Sequence, residues 1–217
     1  MTGQYDLHTH TILSDGEMLP IELIRRMSVL GYETVAITDH VDATNTTSVI
    51  ETLRKLRESA RLFDVTLLCG VEITHVPPPE IPLLAEKAKE AGADIVLVHG
   101  ETLVEPVAPG TNHAACSCSF VDVLAHPGII EPADVKEAVK TGVALELTSR
   151  GGHNRANGYV ARMALASGCT LVVDSDAHAP HDLLDERARN SIARGAGLDT
   201  EECRQVLSLN IKQWLSR

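Results

Sequence analysis

The sequence predicts an α/β fold, a distorted (β/α)7 barrel formed by a single domain spanning residues 1–217. Three observations carry that expectation. Seven short runs of β-branched and aliphatic residues alternate with stretches whose apolar residues recur at helical spacing, the pattern of parallel strands joined by helices. Run after run is followed within two residues by His, Asp or Glu. The first run leads into a histidine pair, where an open nucleotide-binding sheet, the competing solution for the same alternation, would carry a glycine-rich turn. A closed barrel gathers the C-terminal ends of its strands on one face, so side chains far apart in sequence meet there.

QYDLH at 4–8 reads as the first strand. Ile21, Leu23, Ile24, Met27 and Leu30 then line one face of a helix that stops at Gly31, a residue type that tolerates the left-handed cap. TVAIT at 34–38 is the second strand, and Val49, Ile50, Leu53, Leu56 and Leu62 mark a helix within 47–63. VTLLCGVEI at 65–73 is the third. The helix after it, at 79–91, ends at Gly92 with Lys87 and Lys89 near its negative pole. DIVLV at 94–98 leads into 101–119, expected as one long irregular connection, and such loops in compact domains are often functional. VDVLA at 121–125, a short helix over 133–141 ending at Gly142, VALELT at 143–148 and TLVVD at 170–174 complete the strand set. Beyond Asp176 no strand is expected, and 198–215 closes the chain as one or two helices with Trp214 as a packing residue. Seven strands in place of eight make this TIM-barrel-like architecture a distorted one.

A chain of 217 residues, 44% of them hydrophobic, can build one sizeable core. Its net charge of −11 argues against a general nucleic-acid surface, which needs a basic patch, and leaves only a small nucleotide as a nucleic-acid substrate. Bound cations would offset part of that charge. The opening MTGQYDLHTHT lacks the basic and apolar regions of a signal peptide, and no apolar run approaches the roughly 20 residues that span a bilayer. A cytoplasmic protein with no membrane partner is expected. Five cysteines are an odd set, and Cys116-Ser117-Cys118 lacks the two-residue gap of common zinc knuckles, so reduced thiols are expected. The sequence carries no signal for oligomeric state.

Nine residues form the candidate metal site: His8, His10, Asp15, His40, Glu72, His99, His126, Asp176 and His178. His8 and His10 stand two apart, so on an extended segment both rings project from one side and can grip one cation. Asp15 follows in SDG, a turn able to fold its carboxylate over the same strand end. His40 closes TVAITDH, Glu72 closes LLCGVE, His99 closes DIVLVH and His126 closes VDVLAH. An ionisable group that close to an apolar strand is costly to bury unless it is paired or bound to metal. Asp176 and His178 complete the set in VVDSDAH. Asp174 is either a buried acid behind the site or a neighbour of a helix. Asp39 either orients His40 or faces solvent, and Glu146, inside the sixth strand, ranks below the nine.

Taken together these motifs resemble the PHP superfamily, named for polymerase and histidinol phosphatase, over nearly the whole chain. DLHTHTILSDG corresponds to its first motif, ITDH to its second, GVEI to its third, and AHPG with SDAH to its later histidine motifs, with VHGE filling the remaining ligand position. The resemblance implies a PHP domain over 1–217 carrying two or three divalent ions. His8, His10, Glu72 and Asp176 would hold the first, Glu72 would bridge to a second held by His99 and His126, and Asp15, His40 and His178 would hold the third. Asp15 stands where other members place histidine. Glu72 and Asp176 are accordingly the catalytic carboxylates, acting as metal ligands. Imidazole-rich ligation suits Zn, Mn or Fe better than magnesium or calcium.

Clustered cations lower the pKa of a bridging water toward neutrality and neutralise phosphate oxygens, which points to a metal-dependent phosphatase. The substrate expected is a small phosphate monoester such as histidinol phosphate, with a broad-specificity or nucleotide phosphatase as the alternative. Arg150, Asn154 and Arg155, on the glycine-flanked loop after the sixth strand, are the candidate phosphate contacts, since a guanidinium fork matches phosphate. His153 can donate to substrate, pair with an acid or face water. His113 either closes over the site or lies on the surface, and His75 and His181 carry no assignment. A metal-dependent amidohydrolase would not need a cationic phosphate clamp. A non-enzymatic RNA-binding barrel, such as the ribonuclease P component that resembles PHP barrels, should be basic and could dispense with the ligands.

Overall fold

A computed structural model of the chain describes residues 4–216. Its strands are β1 (Gln4–Asp6), β2 (Tyr32–Ile37), β3 (His40–Val41), β4 (Thr66–Ile73), β5 (Ile95–His99), β6 (Val123–Ala125), β7 (Ala144–Thr148) and β8 (Leu171–Asp174). Seven of them pair side by side in the order β1-β2-β4-β5-β6-β7-β8, every pair parallel, giving a nearly closed seven-stranded barrel. The two-residue β3 is an addition to the expected set. Past Ile37 the chain leaves β4 and rejoins it as β3, with His40 opposite Glu72. Close contact here depends on Gly70: a Cβ at that position would lie 2.6 Å from the Ile95 side chain and 2.9 Å from that of Thr38.

Closure falls between β1 and β8, where the seam is held just beyond the strand ends. The His10 amide donates to the Ala177 carbonyl at 2.8 Å and the Asp176 amide to the His8 carbonyl at 2.9 Å. Lower in the seam, side chains replace backbone acceptors: Asp174 accepts from the Leu7 amide at 2.7 Å and Asp6 from the Ser175 amide at 3.2 Å. This substitution explains why β1 stops at Asp6 and does not run to residue 8.

Around the barrel lie α1 (Pro20–Val29), α2 (Thr46–Arg54), α3 (Arg57–Arg61), α4 (Ile81–Glu90), α5 (Thr111–Cys116), α6 (Pro132–Thr141), α7 (Asn157–Ser167), α8 (Glu186–Gly195), α9 (Thr200–Leu207) and α10 (Ile211–Leu215). α1, α4 and α6 end beside Gly31, Gly92 and Gly142, all at positive φ as expected. The single helix expected within 47–63 is two, α2 and α3. The 101–119 connection contains α5, because Glu101 accepts from the amides of Gly110 and Asn112 and so caps its first turn. α7 and α8 were not anticipated from the sequence.

Strand alternation divides the core. Tyr5, Leu7, Ala36, Ile95, Leu97, Val123, Ala144 and Val172 fill the barrel, with Ile211 and Trp214 of α10 packed against them. The opposite side of each strand meets the helices in a larger cluster containing Val35, Ile37, Val96, Val98, Leu145 and Val173. The same two-residue step carries the inward face from Leu97 to His99, from Gly70 to Glu72 and from Ala144 to Glu146, so apolar filling gives way to ionisable groups toward the mouth. Among the described residues no disulfide forms, and no helix is long and apolar enough to cross a membrane.

Candidate functional site

All nine expected ligands stand at the barrel mouth. The Nε2 atoms of His8 and His10 are 3.0 Å apart. Glu72 is fully buried between several rings: its Oε2 is 3.5 Å from His8 Nε2, 3.7 Å from His10 Nε2 and 2.8 Å from His40 Nδ1, while its Oε1 is 3.5 Å from His126 Nε2. Asp176 faces it, with Oδ1 3.3 Å from His10 Nε2 and Oδ2 3.7 Å from His126 Nε2. Asp15, the most exposed member, reaches His178 Nε2 at 3.3 Å and His40 Nε2 at 3.5 Å. His99 closes the far end, its ring centroid 4.5 Å from that of His126.

Local structure fixes these positions. The turn carrying Asp15 packs its Gly16 so tightly on the His10 carbonyl that a Cβ would lie 2.5 Å from that oxygen. Asp39 anchors the same turn by accepting from the Thr11 amide and hydroxyl, each at 2.8 Å, and from the Ser14 hydroxyl at 2.7 Å. It therefore neither orients the His40 ring nor faces solvent; His40 Nδ1 instead meets the Thr74 hydroxyl at 2.7 Å and Glu72 Oε2 at 2.8 Å. His126 (φ 27°) and Asp176 (φ 52°) lie in the left-handed region, which costs on the order of 1–3 kcal/mol per residue. Backbone bonds hold them there, His126 through its amide to Glu146 Oε2 at 2.8 Å and Asp176 through the seam.

Glu146 turns out to matter more than its sequence rank suggested. Its Oε1 accepts from His8 Nδ1 at 2.7 Å, which leaves His8 Nε2 facing the cluster. The signal was present in VALELT, where an acid occupies an inward, fully buried strand position. Glu105, His75 and His153 also join the site, Glu105 lying 3.1 Å from His99, 3.3 Å from His75 and 3.2 Å from His153. Of the three readings open for His153, pairing with an acid is the one observed. No periodicity marks Glu105, which reaches the mouth by the irregular path of its loop.

Charge at the mouth is balanced by mixing imidazoles with acids. Burial alone would raise the Glu72 carboxyl, but His8, His40, His99 and His126 hold it well below the usual range. Asp176 is likewise lowered, against burial, by His8, His10 and His126. Burial opposes a charge on His40, yet Glu72 and Asp15 carry its pKa up to about 10. His10 and His99 go the other way, pushed by burial to about 3 and about 4.

The candidate substrate residues divide. Arg150 lines the cavity of about 400 Å³ above the cluster, its Nη1 3.4 Å from Asp182 Oδ2. Asn154 and Arg155 are exposed and do not line it; Asn154 Nδ2 bonds the Ser149 carbonyl at 3.4 Å. His113 pairs with Asp134 at 2.8 Å on the surface, His181 is exposed beside Asp182, and Asp174 belongs to the seam.

Both carboxylate oxygens of Glu72, Asp176 Oδ1, and Nδ1 of His10, His99 and His126 are buried without a hydrogen-bond partner. Leaving such groups unpaired is expensive, whereas imidazole and carboxylate donors converging within coordination reach suit a borderline divalent cation. The clustered donors give the site the capacity for two or three such ions.

Comparison with known proteins agrees. Residues 6–118, over half of the chain, match the PHP domain. The chain belongs to the PHP domain family. An uncharacterized protein of Methanocaldococcus jannaschii is 44% identical over 216 residues, covering 99% of each chain. In fold, this PHP domain is similar to a chain in the cryo-EM structure of archaeal ribonuclease P with mature tRNA (TM-score 0.73, 15% identity, 98% of this chain and 90% of that one). It is also similar to histidinol phosphate phosphatase from Lactococcus lactis, complexed with zinc, L-histidinol and phosphate (TM-score 0.65, 15% identity, 91% and 95% covered). Family membership and the clustered donors together make this PHP domain a metal-dependent hydrolase of the phosphoesterase class.

Proposed function

We propose that this PHP domain hydrolyses a small phosphate monoester, with histidinol phosphate as the first substrate to test, and that the nine residues at the mouth hold its divalent ions. The observation that carries the proposal is Glu72, a fully buried carboxylate that no backbone amide or hydroxyl reaches and that meets imidazoles only, His8, His10 and His40 on one side and His126 on the other. In this assignment His8, His10, Glu72 and Asp176 hold one ion, Glu72 extends to a second at His99 and His126, and Asp15, His40 and His178 hold a third. Bound there, such ions supply Lewis acidity, offsetting phosphate charge and making water more acidic.

The protein's own groups do the rest. Glu146 fixes the His8 ring through Nδ1, Asp39 fixes the turn bearing Asp15, and Arg150 offers its guanidinium to a phosphate oxygen from the cavity wall. A cavity of about 400 Å³ suits a small metabolite ester. The likeness to a phosphatase crystallised with L-histidinol and phosphate supports that choice of substrate, while a broad-specificity or nucleotide phosphatase uses the same chemistry.

An amidohydrolase would need no Arg150. An RNA-binding barrel without catalysis fits poorly with a net charge of −11. The deciding experiment incubates metal-stripped protein with Zn, Mn or Fe(II) and offers histidinol phosphate, nucleoside monophosphates, p-nitrophenyl phosphate and an N-acyl amino acid. Metal-restored release of phosphate is expected; release from none of the esters with any ion would refute the proposal, and amide cleavage alone would replace it with the amidohydrolase.

A further inference from the structure

Glu105, His75 and His153 have no part in the nine-residue ligand set, yet they crowd one end of it. Glu105 Oε2 lies 3.1 Å from His99 Nε2 and 3.3 Å from His75 Nε2, and Oε1 lies 3.2 Å from His153 Nε2. Neighbouring ligand atoms on a tetrahedral zinc with bonds of about 2.0–2.1 Å stand about 3.3 Å apart, so these spacings are of coordination size. One ring nitrogen from each of His99, His126 and His153 falls within 4.8 Å of the other two. His153 is only 8% exposed, and its Nδ1 is buried without a hydrogen-bond partner, so the ring is not there as a solvated surface group.

The donors differ in how firmly they are held. His99 ends a strand, His126 and His153 are buried, and Glu72 is fully enclosed. Glu105 rides on an irregular stretch between β5 and α5, with its side chain 37% exposed. His75 stands on the outer side of Glu105, itself 44% exposed.

We propose that His153 and Glu105 are further ligands of the ion assigned above to His99 and His126, and that Glu105 is the ligand a phosphate oxygen displaces, moving out toward His75. The inference rests on the metal assignment under Proposed function. Three imidazoles with carboxylates would hold this ion in a nearly saturated set, unlike the open site expected of a catalytic ion, so a position has to be vacated for substrate. A carboxylate on an irregular, partly exposed connection is the donor suited to leave, because a phosphate oxygen replaces it with equal or greater negative charge and the ion stays neutralised. No bond other than the coordinate one changes. The exchange favours anionic esters over neutral substrates, which cannot compensate for the lost carboxylate.

The test uses the full chain, zinc titrated against a chromophoric chelator, and inorganic phosphate as the probe of the vacated position. Glu105→Gln and His153→Ala should bind the same number of zinc ions as the parent with one of them weakened about 10–100-fold, the range for loss of metal-supporting groups. His75→Ala should leave zinc affinity unchanged. Zinc-loaded Glu105→Gln should bind inorganic phosphate more tightly than the parent, since its competitor is gone. Unchanged zinc affinities in Glu105→Gln and His153→Ala overturn the ligand assignment, and unchanged phosphate affinity in Glu105→Gln overturns the displacement. Glu105 is partly exposed on a loop, so that variant keeps both arms readable if His153→Ala folds poorly. A parent protein that binds no zinc at all would instead sink the metal assignment itself, a distinct failure.

Discussion

Buried carboxylates occur in two neighbouring regions of this PHP domain, the mouth and the β1–β8 seam, and they behave in opposite ways. At the mouth Glu72 and Asp176 sit among imidazoles, which hold both below the usual carboxylate range despite burial. In the seam, burial pushes Asp6 up to about 6, and Asp174 is raised by burial and by the nearby charges of Asp6 and Glu146. The seam acids are used as hydrogen-bond acceptors for backbone amides, with one buried cation, Arg189, against the Tyr5 ring at 4.5 Å. Each region also leaves carboxylate oxygens buried without a hydrogen bond, Oδ2 of Asp6 and of Asp174 in the seam and both Glu72 oxygens and Asp176 Oδ1 at the mouth. Only the mouth oxygens face imidazole nitrogens. Burial alone therefore does not separate the two sets of acids; what surrounds them does, imidazoles at the mouth and backbone amides in the seam.

Substitutions that act on one region and spare the other test this contrast. The largest loss of stability is expected from Arg189→Ala, which empties a buried site between the Tyr5 and Tyr32 rings and removes the cation that favours a charged Asp6. Urea unfolding should show a loss on the order of 3 kcal/mol while the folded fraction keeps its metal affinity. A variant as stable as the parent would mean that the cation does not support the seam. Glu72→Ala should do the converse, lowering phosphate release by more than roughly a hundredfold with little change in unfolding midpoint; near-normal turnover would rule out the bridging role proposed for it.

Smaller effects refine the boundary. Glu146 lies between the regions, bonded to His8 and to the His126 amide, so Glu146→Gln should weaken metal binding by roughly tenfold, read by chelator competition. No change would mean that the His8 ring is held by its packing alone. Arg150→Ala should raise KM for phosphate esters by about tenfold, with the melting temperature unaltered, because it removes one charged contact at the rim. Equal kinetics in parent and variant would exclude it as the phosphate clamp.

Much of this was legible in the sequence because it is written in local periodicity. The seven main strands are apolar runs, and α1, α4 and α6 stop at glycines that adopt positive φ. Most of the nine residues were visible because they follow such a run closely, and Asp15 because it sits in the SDG turn after the first one. α7 was not, since its small residues spread apolar character around the helix, and α8 was not, since it buries Arg189 and Ala193 in an otherwise polar segment. β3 is two residues long, too short for any alternation to register. Asn154 and Arg155 look identical to Arg150 as loop polar residues, yet only Arg150 lines the cavity.

By itself, then, the sequence determined the strand and helix alternation, the closed barrel and the convergence of its strand ends, because a period of two or 3.6 residues and a ligand at a strand end are local properties. Only the tertiary structure decided which acids face imidazoles and which accept amides, that Glu146 holds His8, and that Glu105 reaches His75, His99 and His153. Those relations join residues up to 169 positions apart, as between Asp6 and Ser175. They depend on distance and surroundings in the folded chain, which no local pattern encodes.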